Sequence, residues 1–269
     1  MRALYCVLLL WSGIASAGVV MEMTDRDLTD ATAKPGAQKL YFDNGLFRVD
    51  SIEEGRLDTT VIFKNRTMYA VDHGEQQYTA MDQAAMDRAA GQFAQMRKEM
   101  EAQVAGMPPE QRAMVEKMLS EQGLSGGQPA KKRTRTVKDT GRADRVAGHA
   151  CRVWEIAVDG VKEQELCVAP PGSLPAGDAL MKAMRDLAEM SRGFFEKVGV
   201  DEDVMAEAWA DLEQVKGIPI LTREFEAGKP VSESRLSTLR EQALGAGMFD
   251  VPKGFREQKF DLSGGSGDE

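Results

Sequence analysis

The side chains of this 269-residue sequence with the softest or most reactive atoms are sixteen methionines, three cysteines and two histidines. The methionines gather in stretches of three- and four-residue period: Met86, Met96, Met100, Met114, Met118, Met181, Met184, Met190 and Met205. A thioether is unbranched and polarisable, so a row of them can repack around varied apolar partners. Three roles fit such a row: seating helices on a sheet, lining a groove for a lipid, acyl chain or hydrophobic protein segment, and ligating copper(I). Met96/Met100 and Met114/Met118 stand one helical turn apart and Met21/Met23 lie near the expected mature N-terminus, positions from which thioethers could hold a soft ion. No cysteine or histidine stands close to them in sequence, so no metal site and no cofactor is assigned. The candidate ligand-lining set is Met86, Phe93, Met96, Met100, Met114, Met118, Met181 and Met184.

Cys151 and Cys167 lie at either end of "CRVWEIAVDGVKEQELC", which reads as one β-hairpin turning at "VDG" (158–160). A three-residue loop there places Ala157 opposite Val161 and, six residues further along each strand, Cys151 opposite Cys167. Opposed residues on one face are about 4.5–5.5 Å apart at Cα, within the span of a disulfide. The spacing is not that of a redox Cys-x-x-Cys pair. A structural bridge is therefore expected, and with it an oxidising compartment.

Catalytic arrangements are scarce. A Ser-His-Asp system would have to use His73 or His149. His73 sits in the turn-like "VDHGEQ" and reads as a surface residue; His149 precedes a bridged cysteine and reads as structural. There is no Gly-x-Ser-x-Gly elbow, zinc spacing, Walker loop or dinucleotide fingerprint. Acidic pairs such as Glu53-Glu54 look like turn charges. No catalytic residue is assigned, and a non-enzymatic protein is expected.

The compartment is indicated by the N-terminus. "MRALYCVLLLWSGIASAGVV" has Arg2, an apolar run from Ala3 to Trp11 and then Ala15-Ser16-Ala17, the small residues a signal peptidase reads. The run is well short of the ~20 residues of a spanning helix. A signal peptide over 1–17, cleaved after Ala17, and a periplasmic or secreted mature chain are expected. Cys6 leaves with the signal. The formal net charge of -9 argues against nucleic acid as a general partner. The basic run "AKKRTRTVK" (130–138) reads as a linker or protected strand edge.

These residues need elements to position them. Period-two stretches predict a meander of strands from 19 to 82, with "NG" at 44–45 as a hairpin turn. Met86, Ala89, Phe93, Met96, Met100 and Val104 then mark one helix face, and "GMPPEQ" (106–111) divides a helical hairpin over 82–122. Strands resume at 133, pass through the cysteine hairpin and end at "APPG" (169–172). A second helical pair over 178–215 shows Leu180, Met184, Leu187, Met190 and Phe194 on one face, with Asp201 capping its second helix. Strands 217–226 and 231–244 follow, then an extended edge in "FDVPKGFREQKFDL" and a polar tail over 263–269. The pattern is one α+β domain, 18–262: an antiparallel sheet with two helical pairs on one face.

The stretches "KLYFDNGLFRVD" (39–50), "DTGRADRVAGHACRVWEI" (139–156), the later Cys167, "GIPI" (217–220) and "FDVPKGF" (249–255) resemble an uncharacterised exported bacterial family, domain of unknown function 4412. That family is similar to the periplasmic lipoprotein-carrier fold. The resemblance implies a curved, incomplete β-barrel lined with apolar side chains and covered by helices, and no known activity. The expected function is a binding protein or carrier for a lipid, acyl chain or other hydrophobic ligand. The alternative is an envelope interaction protein with a filled core.

Overall fold

The computed structural model describes residues 18–108, 111–112, 115, 134–198, 214–245 and 247–259. The expected signal peptide, the tail, Met114, Met118, Met205 and Asp201 lie outside the described residues. Twelve strands follow in chain order: β1 (Gly18–Asp27), β2 (Gly36–Asp43), β3 (Leu46–Glu53), β4 (Arg56–Lys64), β5 (Thr67–Asp72), β6 (Gln77–Met81), β7 (Arg135–Val146), β8 (His149–Val158), β9 (Val161–Ala169), β10 (Ile218–Glu226), β11 (Lys229–Gln242) and β12 (Arg256–Gln258). Helix α1 (Gln83–Ala105) stands between β6 and β7. A 3-10 turn (Pro171–Ser173) and helix α2 (Gly177–Val198) stand between β9 and β10.

All twelve strands form one open sheet in the order β12-β6-β5-β4-β3-β2-β1-β11-β10-β9-β8-β7. Every neighbour pair is antiparallel except β12 on β6, which is parallel. The expected α+β class holds, and the sheet ends on two edges. Tight two-residue turns make most of the hairpins. Asn44-Gly45, Asp159-Gly160 and Ala227-Gly228 all have positive φ at both positions, the geometry that matches the twist of the flanking strands. Asn65-Arg66 makes the same turn without a glycine, at φ 54 and 58.

Alternation along β1–β6 sorts the side chains onto two faces. One face has the paired row Val19, Phe42, Phe47, Phe63, Met68 and Met81, and beside it the row Met21, Leu40, Val49, Val61, Ala70 and Thr79. Both helices sit over this face. Asp82 caps α1, its carboxylate accepting from the Ala85 N–H at 2.6 Å, and Met86 packs on Phe63, Phe47, Met68 and Met81. Leu180, Met181 and Met184 of α2 join a core containing Met21, Ile220 and Leu236. The two helices also pack against each other. Of each expected helical pair, the second helix falls largely outside the described residues.

The opposite face of β2–β6 is also covered, which the sequence does not announce. Leu244, Met248, Phe249 and Phe255, from the segment after β11, pack on Ile62, Val71, Tyr41, Tyr69 and Tyr78. Among the described residues the expected C-terminal edge is realised in three, those of β12.

Cys151 and Cys167 are bridged, with Cα atoms 5.4 Å apart. The hairpin register differs from the expected one. The turn is the two residues Asp159-Gly160, which pairs Val158 with Val161, and a bulge beyond Ile156 shifts the rest. Val153 therefore faces Cys167, and the bridge runs diagonally to Cys151, two residues further along the same face. A two-residue turn fits the strand twist better than the three-residue loop, and the bulge takes up the mismatch.

Candidate functional site

The row Met21, Leu40, Val49, Val61 and Ala70 crosses five adjacent strands. At about 4.8 Å per strand it spans roughly 19 Å. Met21 is buried, whereas Leu40, Val49, Val61 and Ala70 are only half-buried. At its β1–β2 end the row runs into an apolar crevice. Val19, Met21, Leu40, Phe42, Phe47 and Leu239 form the sheet side; Leu174, Pro175, Ala176 and Leu180 form the helix side, and Ile218 also lines it. The free space there is about 10 Å³. That is about what one water molecule needs, against roughly 300–1,000 Å³ for a small-molecule pocket. The crevice is closed with α2 seated.

The joint that seats α2 is steric. Gly177 begins the helix, and a Cβ there would run into the Pro171 carbonyl oxygen. Only glycine lets the chain turn from the 3-10 segment into α2 this tightly, holding Ala176 and Leu180 against the sheet.

The candidate residues divide among three situations. Met86 is buried under α1, and Met181 and Met184 sit beneath α2. Phe93 and Met100 are half-buried, and Met96 is 44% exposed. Met114 and Met118 lie outside the described residues. None of the six described candidates lines the crevice itself. Its walls come from strand residues such as Val19, Met21, Leu40 and Phe42, and the alternation in "VVMEM" and "KLYF" is the sequence signal for them.

His73 is half-buried and hydrogen-bonded, a correction to its reading as a surface residue. The Thr60 hydroxyl donates to Asp50 Oδ1 at 2.6 Å and lies 2.9 Å from His73 Nε2. A hydroxyl has one proton to give, so His73 Nε2 is the donor to Thr60. Arg48 Nε also donates to Asp50 Oδ1, at 2.7 Å. The array is His73 to Thr60 to Asp50, closed by Arg48. Thr60 is 1% exposed, so its hydroxyl is out of reach of a substrate. His149 is half-buried at the start of β8. Among the described residues no group of three or more His, Cys, Asp or Glu side chains is placed to hold a metal ion.

A second charged array ties β9, β10 and β11 together. Glu165 accepts from Arg142 at 2.7 Å, Lys162 at 2.9 Å and Arg223 at 3.1 Å; Arg223 also reaches Glu233 at 2.8 Å. Burial pushes the Glu165 carboxyl up, but hydrogen bonds from Lys162 and Arg142 outweigh it and hold the group below its ordinary range. Glu233 is shifted the same way: burial opposes, and hydrogen bonds from Arg223 and Arg235 prevail. Carboxylates whose folded-state pKa is depressed stabilise the fold fully above the unfolded value, about 4.3, and lose that contribution as pH falls through the folded value. Urea denaturation should therefore show stability dropping below about pH 4.3. Glu165→Gln should be less stable at pH 7 and should flatten that acid limb. An unchanged limb would show that the array does not govern acid stability.

No family model matches the chain, and no curated protein matches it. Among solved structures, an uncharacterised conserved protein from Thermus thermophilus is similar at 8% identity and a TM-score of 0.41, over 91% of each chain. The structure of MucB in complex with periplasmic MucA matches at 7% identity and a TM-score of 0.37, over 89% of this chain and 56% of that one. A second, a MucA/MucB complex from Pseudomonas aeruginosa, matches at 7% identity and 0.37, over 88% and 56%. The chain thus spans little more than half the length of the matched MucB-complex chains. No described helix is long and apolar enough to cross a membrane.

Proposed function

We propose that the chain is a non-enzymatic, exported binding protein of the periplasm that takes a hydrophobic ligand, an acyl chain or lipid, along the Met21–Ala70 row. The observation that supports this reading is the half-buried state of Leu40, Val49, Val61 and Ala70 in a row that leads into the crevice under α2. A sheet face serving only as core would be filled along its whole length. Here Phe42 and Phe63 of the first row are buried and Phe47 is half-buried, whereas Leu40, Val49, Val61 and Ala70 of its neighbour are all half-buried. In this reading α2 is a cover that lifts at the Gly177 joint, and transfer follows from its opening without bond chemistry. Burial of ligand surface contributes about 25 cal/mol per Å² of apolar area, less the ordering of the ligand. The resemblance to the lipoprotein-carrier-like family is part of the same reading.

A second reading rests on the crevice volume. A space of about 10 Å³ fits an interaction protein with a filled core and an envelope protein as its partner. Native mass spectrometry of the mature protein, taken gently from the cell envelope, separates the two. A releasable mass in the acyl-lipid range is expected. Val49→Thr with Val61→Thr keeps shape while placing two hydroxyls in the row, and should reduce that occupancy about tenfold. A bare mass for the wild type would reject the carrier in favour of the filled-core protein.

A further inference from the structure

We propose that the described residues of the segment after β11, 244–245 and 247–258, are a strap that opens as a unit from the outer face of β2–β6, and that Asp50 is its latch. The strap is irregular except for β12, and Phe249 is its one fully buried large side chain among the described residues, plugged onto Ile62 and Val71. Two side chains linked by hydrogen bonds to one carboxylate grip the strap, alongside the β12–β6 pairing and three polar contacts outside that array. Arg48 Nη1 donates to the Met248 carbonyl at 2.9 Å while its Nε holds Asp50. The His73 ring meets the Phe255 ring edge-on at 5.4 Å, and its Nε2 is bonded through Thr60 to the same Asp50 oxygen. Asp50, 6% exposed, thus fixes the two side chains that grip the strap near its start and near its end. Outside this array, Lys64 pairs with Asp250, the Arg256 N–H donates to the Gln76 carbonyl at 3.0 Å, and the Tyr78 hydroxyl donates to Glu257 at 3.2 Å.

The start of the strap can bend. A Cβ at Gly245 would meet nothing within 4 Å, and one at Gly247 would meet only an Asp250 carboxylate oxygen at 3.9 Å. Neither glycine is demanded by crowding, so their chain freedom is available to a hinge. Its backbone turns are local, Met248 N–H to the Gly245 carbonyl and Asp250 N–H to the Gly247 carbonyl, and its strand pairing is the three-residue β12 on β6. It can therefore leave without breaking the β1–β11 framework. Opening uncovers Tyr41, Ile62, Tyr69 and Val71 and frees the edge of β6.

Hydrogen exchange of the mature full-length chain, followed against low denaturant, tests this directly. Strap amides, notably those of Phe255 and Arg256, are expected to exchange through an opening with a shallow denaturant slope, while β9 and β10 exchange only through a steep, global one. Asp50→Asn should raise strap exchange about ten- to hundredfold, the effect of losing charge-assisted hydrogen bonds, and leave β9 and β10 unchanged. Gly245→Ala should slow it severalfold. Strap amides sharing the steep slope of β9 and β10 in the wild type would overturn the proposal, whatever the variants do. A wild-type strap rate in Asp50→Asn would remove Asp50 as the latch.

Discussion

Replacing Cys151 and Cys167 together with alanine is expected to lower the unfolding free energy by about 3 to 5 kcal/mol. The bridge closes a sequence separation of 16, for which loop entropy alone contributes about 3 kcal/mol. Both cysteines are almost fully buried, at 3% and 0% exposure, so the lost sulfur contacts add to that figure. They share a core with Leu174 and Met181, so loosening reaches the seat of α2 as well. Urea melts of the oxidised wild type, the reduced wild type and the double variant separate the terms. Reduction alone reports the cross-link, and the remaining difference reports packing. A loss below about 1 kcal/mol for the double variant, well under the usual range for a native bridge, would mean that the diagonal bridge only decorates a hairpin already fixed by its bulge.

The second large effect is expected at Gly177. Alanine there would drive a Cβ into the Pro171 carbonyl oxygen and place it 2.8 Å from the carbonyl carbon. Backbone cannot rotate away as a flexible side chain can, so the joint must open. A destabilisation of about 3 kcal/mol is expected, at the upper end for overpacking. Gly172→Ala, earlier in the same connection, meets nothing within 4 Å and is the matched control. Thermal melts of the two variants give the comparison. The same pair bears on function: if α2 is a cover, Gly177→Ala shifts it from the sheet and changes ligand occupancy, while Gly172→Ala does not. Equal melts for both would mean that the 3-10 segment yields freely.

The strands and the first helix are readable from the sequence because their signals are local. "NG" at 44–45 forces a positive-φ turn, and the steps from Met86 to Val104 can only be one helix face. The cysteine pairing is readable for the same reason, while its register is not. "VDG" permits a two- or a three-residue loop, and nothing in those residues states the bulge between Ile156 and Ala157 that accompanies the two-residue turn. The candidate site is half legible. Helical period places Met181 and Met184 on the covered side of α2, in the core beside the crevice and not on its walls, but the row through Leu40, Val49 and Val61 exists only once β1 to β5 are in register. His73 is misread from its local sequence because its partners, Thr60 and Asp50, lie on other strands and are brought near it by the pairing of β3, β4 and β5. The cover from the segment after β11 is invisible for a related reason: nothing near "FDVPKGF" states which face of the sheet it will cross.

The position of β1 has a consequence for how the molecule is made. Its neighbours are β2, adjacent in sequence, and β11, where Gly18 pairs with Gln242. The first and nearly the last strands of the domain therefore meet at an inner seam of the sheet. As synthesis proceeds, the β1–β6 meander can form early from local turns, and so can the β7–β9 meander. Neither has its seam partner until almost the entire chain has emerged. Until then Val19, Met21 and Met23 present an unpaired strand edge beside apolar side chains, the kind of surface that aggregates or recruits a chaperone. Because closure across such a distance is slow, the rate-limiting event in maturation should be the docking of β11 onto β1.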